Sequence, residues 1–450
     1  MRRRTVLGLI ICLPLCLPLA AQNGPAAQSG ARPLTILHSN DLHAHLMPDD
    51  RGLGGFARLA TAIQREKAGC GACLYLNAGD VVQGTPVSTL FHGTPVYEIA
   101  NLLGIDVSTL GNHEFDYGWR RVQEFIRIAH FPIVSANVVD SSGKPVTGLP
   151  YVIKTVGGIR VAIIGVVMGD MVGTMVTAEN VGPWRVLPVV ETVRKYAQEL
   201  RDRSDLIVVL GHIYDKQEVE VILKQIPEVS VVVAGHSHIG YPAMMNVEGR
   251  VGVLVNGYGV EYGRLDLQVD MAGKKLRSAE WKKIPVNDKI QPDPQIARLV
   301  SAWEDKVTKL VDTPIGESKT RLTRNNPELR GLVERAMAEE TGSDIGWVNP
   351  GNIRDVLPEG RILARNIWNI LPFDNYIVIG KFKGSQLPPA VTQRHPVDPT
   401  REYTVATTDF TAANQGAPDQ LHVTGLQFPK TGPLQRDAVI DWIKKKKVVP

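Results

Sequence analysis

The stretch LTILHSNDLHAHL, residues 34–46, contains an apolar run that ends in Asp41 and His43. From there to about Leu267, short apolar runs alternate with amphipathic helical stretches, a pattern that is typical of a layered α/β structure. The run VAIIGVV at 161–167 contains no polar side chain, as expected of a strand that is covered on both faces. The first part of the chain is therefore predicted to form an α/β fold with buried sheets.

Five apolar, strand-like runs in this part each end in side chains that can bind a metal ion. In open α/β sheets ligands bind at the carboxyl ends of strands, so loops that are distant in the sequence can converge on one crevice. Any one of these side chains alone would more often be a hydrogen-bonded loop residue, but five equivalent positions make coincidence a poor explanation. The clusters are Asp41 and His43, Asp80, Asn112 and His113, His212, and His236 and His238.

The residue types in these clusters indicate the kind of ion. Carboxylates, an amide oxygen and neutral imidazoles suit borderline or hard divalent ions, and the clusters contain no thiolate that would select a soft one. Two neighbouring ions need a shared ligand, and Asp80 is the natural bridge because Gly79 lets the backbone turn tightly before it. We expect two divalent ions as cofactors, with Zn, Mn, Co and Mg as the candidates.

The first 21 residues resemble an export signal. Three arginines precede an apolar run that Pro14 and Pro18 interrupt, and the segment ends in Ala20 and Ala21. Such a segment is too short and too interrupted to span a membrane comfortably. We therefore expect an exported protein, periplasmic or extracellular, that uses the secretory or the twin-arginine route.

Composition excludes several classes of protein. With 44% hydrophobic and 21% charged residues, the chain is neither collagen-like, nor a coiled coil, nor largely disordered. Its formal net charge is +4, and three of these positive charges lie in the leader, so we expect no nucleic-acid partner. No apolar run after the leader is long enough to span a membrane, so we expect no stable membrane insertion. The oligomeric state stays open. Cys70 and Cys73, the two cysteines outside the leader, are expected to form a local disulfide or to be two quiet thiols.

A change of composition near residue 288 predicts a domain boundary. A Pro/Asp-rich breaker at 291–294 precedes a helical stretch from Gln295 to Val311, and strand-like runs at 376–382 and 403–407 indicate a second α/β domain. The predicted division is a signal peptide at 1–21, a first domain at 32–287, a linker and hinge helix at 288–312, and a C-terminal domain at 313–450.

The metal-binding motifs resemble those of a known superfamily. NDLHAH (40–45), LNAGD (76–80), GNHEFDYG (111–118) and GHSH (235–238), in this order, are similar to the motifs of calcineurin-like metallophosphoesterases. Together with GGFARLA (54–60) they resemble the secreted bacterial 5′-nucleotidase family over nearly the whole chain after the leader. This resemblance implies a four-layer α/β/β/α metallophosphoesterase sandwich, followed by a smaller α/β domain, the C-terminal 5′-nucleotidase domain, which binds the substrate and closes by a hinge.

The resemblance also implies a dinuclear mechanism. A hydroxide that bridges the two ions is expected to attack phosphorus. His113 is implied to pair with Asp116 as a catalytic dyad, which stabilises charge in the transition state and helps the leaving oxygen to depart. The implied ligands are Asp41, His43 and His238 for one ion, Asn112, His212 and His236 for the other, and Asp80 for both.

Five C-terminal positions resemble the substrate-binding positions of the family. Arg354 matches an arginine that binds phosphate or carboxylate, for which a planar guanidinium is suited, and Asn349 matches a contact to the base or ribose. Phe373 and Phe410 match two aromatic positions between which a nucleobase stacks. Asp419 is the counterpart of a family aspartate that follows the second aromatic residue.

Two departures from the family pattern concern the substrate rather than the reaction. Asn352 stands where the family usually has glycine, and the family segment that begins with an arginine is only partly retained from Arg324 onward. We expect an exported phosphomonoesterase that cleaves nucleoside 5′-monophosphates to nucleoside and phosphate. UDP-sugars and 2′,3′-cyclic nucleotides are further candidate substrates.

Two alternatives remain open at this point. One is a thiosulfohydrolase-like sulfur-ester hydrolase of the same superfamily. The other is a non-catalytic nucleotide-binding protein, which would need no pair such as His113 and Asp116.

Overall fold

The structure is a computed structural model, and it describes residues 30–450. The predicted signal peptide at 1–21 lies outside the described residues. The strands before residue 290 are, in chain order, β1 (Ala31–Ser39), β2 (Cys73–Asn77), β3 (Val107–Thr109), β4 (Ile133–Val134), β5 (Val138–Val139), β6 (Tyr151–Val156), β7 (Ile159–Val167), β8 (Arg185–Val186), β9 (Leu206–His212), β10 (Val231–Ala234), β11 (Met245–Val247), β12 (Arg250–Val253), β13 (Glu261–Asp270) and β14 (Lys275–Pro285).

Most of these strands belong to two six-stranded sheets. The strand order is β14-β13-β1-β2-β3-β4 in the first sheet and β11-β12-β10-β9-β7-β6 in the second, and β5 pairs with β8 in a separate ribbon. Strands β1 to β4 pair in parallel, as do β7, β9, β10 and β12. Each sheet therefore gathers the carboxyl ends of several strands at one edge, where ligand sites form.

Helices cover the outer face of each sheet. The helices of this part are α1 (Phe56–Gly69), α2 (Pro86–Leu90), α3 (Thr94–Ala100), α4 (Trp119–Ile128), α5 (Ala178–Val181), α6 (Val189–Leu200), α7 (Asp215–Gln225) and α8 (Pro294–Val311). Buried residues of α1 and α8 pack with the first sheet, whereas buried residues of α6 and α7 pack with the second.

Between the sheets lies a continuous apolar core. Leu76 of β2, Ile163 of β7 and Val208 of β9 are fully buried within it. The next residue along β9, Val209, points to the opposite face and packs with α6 and α7, which is why the strand needs apolar side chains on both faces. The predicted four-layer α/β/β/α sandwich is confirmed.

A smaller α/β region follows α8. Its elements are β15 (Pro314–Ser318), α9 (Pro327–Thr341), β16 (Ile345–Gly346), β17 (Gly360–Leu363), α10 (Ala364–Ile370), β18 (Tyr376–Lys383), α11 (Pro389–Thr392), β19 (Glu402–Thr408), α12 (Asp409–Ala413), β20 (Lys430–Leu434), α13 (Gln435–Lys446) and β21 (Val448–Val449). A three-stranded sheet, in the order β17-β15-β21, and a four-stranded sheet, in the order β16-β19-β18-β20, pack with α9 and α13.

Two further features concern covalent structure and membrane association. Cys70 and Cys73 form a disulfide, one of the two states expected for this pair. Within residues 30–450, no helix combines the length and the apolar character that a membrane span requires.

Candidate metal centre and substrate cavity

Ligand side chains from both six-stranded sheets meet at their carboxyl-terminal edges. Asp41, His43, Asp80 and His238 each offer one ligand atom, and these atoms lie within 4.8 Å of one another. The Nε2 atoms of His43 and His238 are 2.9 Å apart, and His43 Nε2 is 3.6 Å from Asp80 Oδ2. Ligands of one ion at about 2 Å are separated by about this distance, so this group can hold a divalent cation.

A second group of predicted ligands adjoins the first through Asp80. His212 Nε2 lies 3.1 Å from Asn112 Oδ1 and 3.1 Å from Asp80 Oδ2. The imidazole of His236 is next to that of His212, with 5.4 Å between ring centroids. The structure thus brings all seven predicted ligands together, with Asp80 between the two groups.

The chemistry of these donors fits metal ions. The buried Oδ2 of Asp80 has no hydrogen-bond partner in the protein. Burial holds the pKa of His43 and of His238 well below the usual value, which favours the neutral rings that can bind a metal ion through Nε2. A shared cation would satisfy lone pairs that otherwise oppose each other.

Hydrogen bonds behind the ligands orient them. His212 Nδ1 donates to the backbone carbonyl of Ala78 at 2.8 Å, which leaves Nε2 to face Asn112 and Asp80. Asp41 accepts from the backbone N–H of His236 at 2.9 Å, so a residue of the first sheet fixes the ligand loop of the second.

The backbone at the ligands is locally strained. Left-handed φ values are unusual for residues other than glycine, although Asn, Asp and His adopt them more often than most, and they cluster at functional sites. Five of the predicted ligands have positive φ, namely Asp41 (51°), His43 (46°), Asp80 (52°), His236 (91°) and His238 (60°).

A Cβ on Gly235 would lie 2.5 Å from the Ala78 carbonyl oxygen, so the strand end and the ligand loop approach each other only with glycine there.

Glu114 is a buried side chain next to the predicted ligands that the sequence analysis missed. It is fully buried and accepts backbone hydrogen bonds from Asp80 at 3.0 Å, from Val81 at 2.8 Å and from Gly111 at 2.5 Å. The carboxylate therefore joins the loop of the bridging aspartate to the loop of Asn112. Its position inside GNHEFDYG was the only available signal, because nothing in the sequence showed that this glutamate points inward.

His113 and Asp116 are paired as the sequence suggested. Nδ1 of His113 lies 2.8 Å from Oδ2 of Asp116. Burial acts to lower the pKa of His113, but the charges of Asp116 and Asp80 outweigh it and the pKa is raised above the usual value. The ring is thus favoured in its cationic form, and it lines the cavity next to Asn112.

The five predicted substrate-binding residues line the same cavity, which has a volume of about 850 Å³. Nη2 of Arg354 and Oδ1 of Asn349 are buried and have no protein partner. The Phe373 ring lies 5.8 Å from the His113 ring and 5.8 Å from the Arg354 guanidinium. Asn349, Arg354, Phe373, Phe410 and Asp419 therefore face the space above the metal-ligand groups.

Other cavity-lining residues were not predicted as site residues. Arg324 and Asn352 of the C-terminal region line it, and Oδ1 of Asn352 is a further buried oxygen without a partner. Asn180 also lines it and donates to the backbone carbonyl of Asp116 at 3.3 Å. The available signals were the departure of Asn352 from the family pattern and the match of Arg324 to the arginine that begins a partly retained family segment.

Comparison with known families gives the same division of the chain. The sequence profile of calcineurin-like phosphoesterases matches residues 34–240, and that of the 5′-nucleotidase C-terminal domain matches residues 311–394. The chain belongs to the 5′-nucleotidase family. Its members are metal-dependent phosphoesterases, and the predicted family is confirmed.

Two curated relatives illustrate the extent of the similarity. The chain is 29% identical to human 5′-nucleotidase over 430 residues, which cover 83% of this chain and 73% of that protein. It is 28% identical to the endonuclease YhcR of Bacillus subtilis over 490 residues, which cover 92% of this chain and 40% of that protein. The chain thus spans well under half the length of YhcR.

Solved structures show the same arrangement of elements. A 5′-nucleotidase precursor from Thermus thermophilus superposes with a TM-score of 0.82 and 26% identity, covering 93% of this chain and 97% of that one. The Thermus sulfate thiohydrolase SoxB superposes with a TM-score of 0.77 and 17% identity, covering 92% and 94%. The second similarity concerns the fold alone.

Proposed function

We propose that this chain is a metal-dependent 5′-nucleotidase that hydrolyses nucleoside 5′-monophosphates to a nucleoside and phosphate. The observation that carries this proposal is the convergence of two sets of side chains on one cavity. The predicted ligands Asn112, His236 and His238 of the sandwich line this cavity, and so do Arg354, Phe373 and Phe410 of the C-terminal region. A cavity of this kind accepts an anionic group and a flat apolar ring in one molecule.

The ligand set accommodates two divalent ions. Asp41, His43 and His238 would hold one, Asn112, His212 and His236 the other, and Asp80 both. When bound, such ions supply positive charge that stabilises phosphate oxygens and lowers the pKa of a coordinated water.

The protein's own side chains bind and orient the substrate. Arg354 has a free Nη2 for a phosphate oxygen, and a guanidinium binds such oxygens in a bidentate manner. Asp116 holds His113 by Nδ1, so the opposite nitrogen of the cationic ring is left to donate a proton to the leaving oxygen. Phe373 and Phe410 offer apolar faces on which a base can stack.

Two substitutions test the proposal. Asp80→Asn and His113→Ala are each expected to lower kcat/KM for AMP by about 10³-fold or more, because each removes one member of a set that works as a unit. Metal content by elemental analysis accompanies the assay, and chelation is expected to abolish hydrolysis. His130→Ala, an exposed histidine on the surface, is the control. Hydrolysis at near wild-type rates by either variant in saturating metal would contradict the proposal.

A substrate panel separates the proposed activity from its rivals. AMP is compared with UDP-glucose, 2′,3′-cyclic AMP and an organic thiosulfonate. Preference for the thiosulfonate would favour the sulfur-ester activity, for which the fold of SoxB is the supporting likeness. Binding of nucleotide without release of phosphate would instead identify a non-catalytic binding protein.

Export is part of the proposal. The leader at 1–21 is expected to direct the protein to the periplasm or the medium. Fractionation of cells that express the full chain and a variant without residues 1–21 tests this, and equal distribution of the two forms would refute it.

A further inference from the structure

The metal ligand His238 has a partner behind it. Its Nε2 belongs to the ligand group, 3.4 Å from Asp41 Oδ1, and its Nδ1 lies 3.0 Å from the Tyr258 hydroxyl oxygen. A ring that offers the Nε2 lone pair to an ion carries its proton on Nδ1. Nδ1–H therefore donates to the oxygen of Tyr258.

The same hydroxyl reaches the C-terminal region. Arg324 Nη1 donates to the Tyr258 oxygen at 3.1 Å, and Arg324 Nε donates to the Ile353 carbonyl at 3.0 Å. Ile353 immediately precedes Arg354, the proposed phosphate-binding residue. One phenol oxygen thus lies between a metal ligand of the sandwich and the segment that binds the substrate anion.

The loop of Tyr258 is itself built into the metal site. Its backbone N–H donates to the Asp41 carbonyl at 2.6 Å, and that of Gly257 donates to the His238 carbonyl at 3.0 Å. Tyr258 has a left-handed φ of 66°, and its ring packs on His45 with 4.4 Å between centroids. The hydroxyl therefore has little freedom to move relative to the ligands.

We propose that Tyr258 is a positioning residue that couples metal binding at His238 to the placement of Arg324 and, through it, of the substrate-binding segment. The proposal rests on the proposed function of the site. Arg324 reaches Tyr258 only while the C-terminal region lies against the sandwich. Closure of the C-terminal region on the substrate therefore favours the metal-binding orientation of the His238 ring, and metal binding at His238 favours closure.

Tyr258→Phe removes the hydroxyl and keeps the ring. Its effect on metal binding is measured without substrate, so this part of the test is independent of the enzymatic activity. Hydrogen-bonding partners behind a metal ligand contribute about 10- to 100-fold to metal affinity. We expect Mn²⁺ to bind Tyr258→Phe about tenfold more weakly than wild type in calorimetric titration. Tyr151→Phe is the matched control, because Tyr151 accepts from Arg203 at 2.7 Å on β6, outside the site.

The kinetic arm tests the link to Arg324. Tyr258→Phe and Arg324→Gln are each expected to raise KM for AMP more than they lower kcat. In the double variant the two effects on KM should be less than additive, since both remove the same contact. Additive effects, or unchanged Mn²⁺ affinity in a Tyr258→Phe protein of normal thermal stability, would overturn the proposal. Failure of the wild type to hydrolyse any nucleotide would instead contradict the proposed function, and the Mn²⁺ titration would still decide the role of Tyr258.

Discussion

At the residue scale, buried polar side chains outside the cavity hold the elements of the site in place. Glu114 satisfies three backbone N–H groups of two ligand loops, and His38 of β1 accepts from Trp281 Nε1 at 2.9 Å between strands. Neither contacts the cavity, yet both fix elements that carry ligands. Their contributions are accessible to measurements of stability.

Glu114→Gln replaces one acceptor oxygen with an amide nitrogen, which cannot accept a hydrogen bond. At least one of the N–H groups of Asp80, Val81 and Gly111 would lose its partner, which costs about 1–3 kcal/mol for a buried donor. We expect a lower free energy of unfolding in urea and weaker Mn²⁺ binding. Glu124→Gln, at a partly exposed position of α4 that pairs with Arg121 outside the site, serves as the control, and equal behaviour of the two variants would refute the role of Glu114.

The stability of the sandwich should depend on pH through His38. Burial lowers the pKa of His38 to about 3 in the folded protein, against an ordinary value of 6.5. Below pH 6.5 the unfolded chain binds a proton that the folded chain does not, so stability is lost as the pH falls. Between pH 7 and pH 5 this linkage amounts to about 2 kcal/mol.

His38→Asn, which retains an acceptor for Trp281, measures this contribution. Its free energy of unfolding should decrease less between pH 7 and pH 5 than that of the wild type, by about 2 kcal/mol. An identical pH dependence of the two proteins would show that His38 does not titrate as described.

The sequence predicted a set of ligand residues but not their conformation. Asp80 and His236 were recognisable because each follows an apolar strand, whereas their left-handed φ values arise from contacts between loops of two sheets. For the same reason, the sequence analysis did not select Glu114 and Tyr258. Each acts through partners distant in sequence, such as Asp80 for Glu114 and Arg324 for Tyr258, and no local pattern encodes such partners.

At the element scale, the helix α8 shows how far the sequence predicts the bounds of a helix and its contacts with the C-terminal region. The sequence predicted a helix from Gln295, and the structure begins it at Pro294, with Asp293 accepting from the backbone N–H groups of 295 and 296. Short strands such as β4, β5 and β8 were not predicted, since two residues carry no periodicity. Arg365 of α10 joins α8 to the C-terminal region by contacts to Glu304 and Asp312.

Arg365→Gln should weaken the junction between these helices. The substitution leaves Glu304 and Asp312 without their cation, and because all three side chains are partly exposed, the loss is expected to be about 1–2 kcal/mol. Urea unfolding monitored by fluorescence measures it. Arg361→Gln, at an exposed position of β17, is the control, and an equally small effect in both variants would contradict the prediction.

At the scale of the whole molecule, the cavity exists only because the two regions lie together. Thr89 of the sandwich donates to the Pro372 carbonyl at 3.0 Å, and Arg321 pairs with Asp50 across the same junction. The α/β architecture and the presence of a second region were predictable from strand and helix patterns. The relative placement of the regions was not, because it depends on contacts between residues hundreds of positions apart. The domain limits at 287/288 and 312/313 remain predictions.

Restricting movement at this junction should slow turnover. Asp50→Cys and Arg321→Cys, combined and joined by a short thiol cross-linker, would hold the present arrangement, so that substrate entry and product release are impeded. We expect kcat for AMP to fall about tenfold or more while metal content is unchanged. Single-cysteine variants treated with the cross-linker are the controls, and undiminished turnover in the linked protein would refute hinge motion.

The origin of the ligands in both six-stranded sheets has a mechanical consequence. Asp41 and His43 follow β1 and Asp80 follows β2, whereas His212 ends β9 and His238 lies beyond β10. Any ion held by such a set cross-links the two sheets of the sandwich, much as a covalent bond would between chain positions nearly 200 residues apart. Loss of the ions should therefore expose the interface between the two sheets to proteases well before the helices unfold.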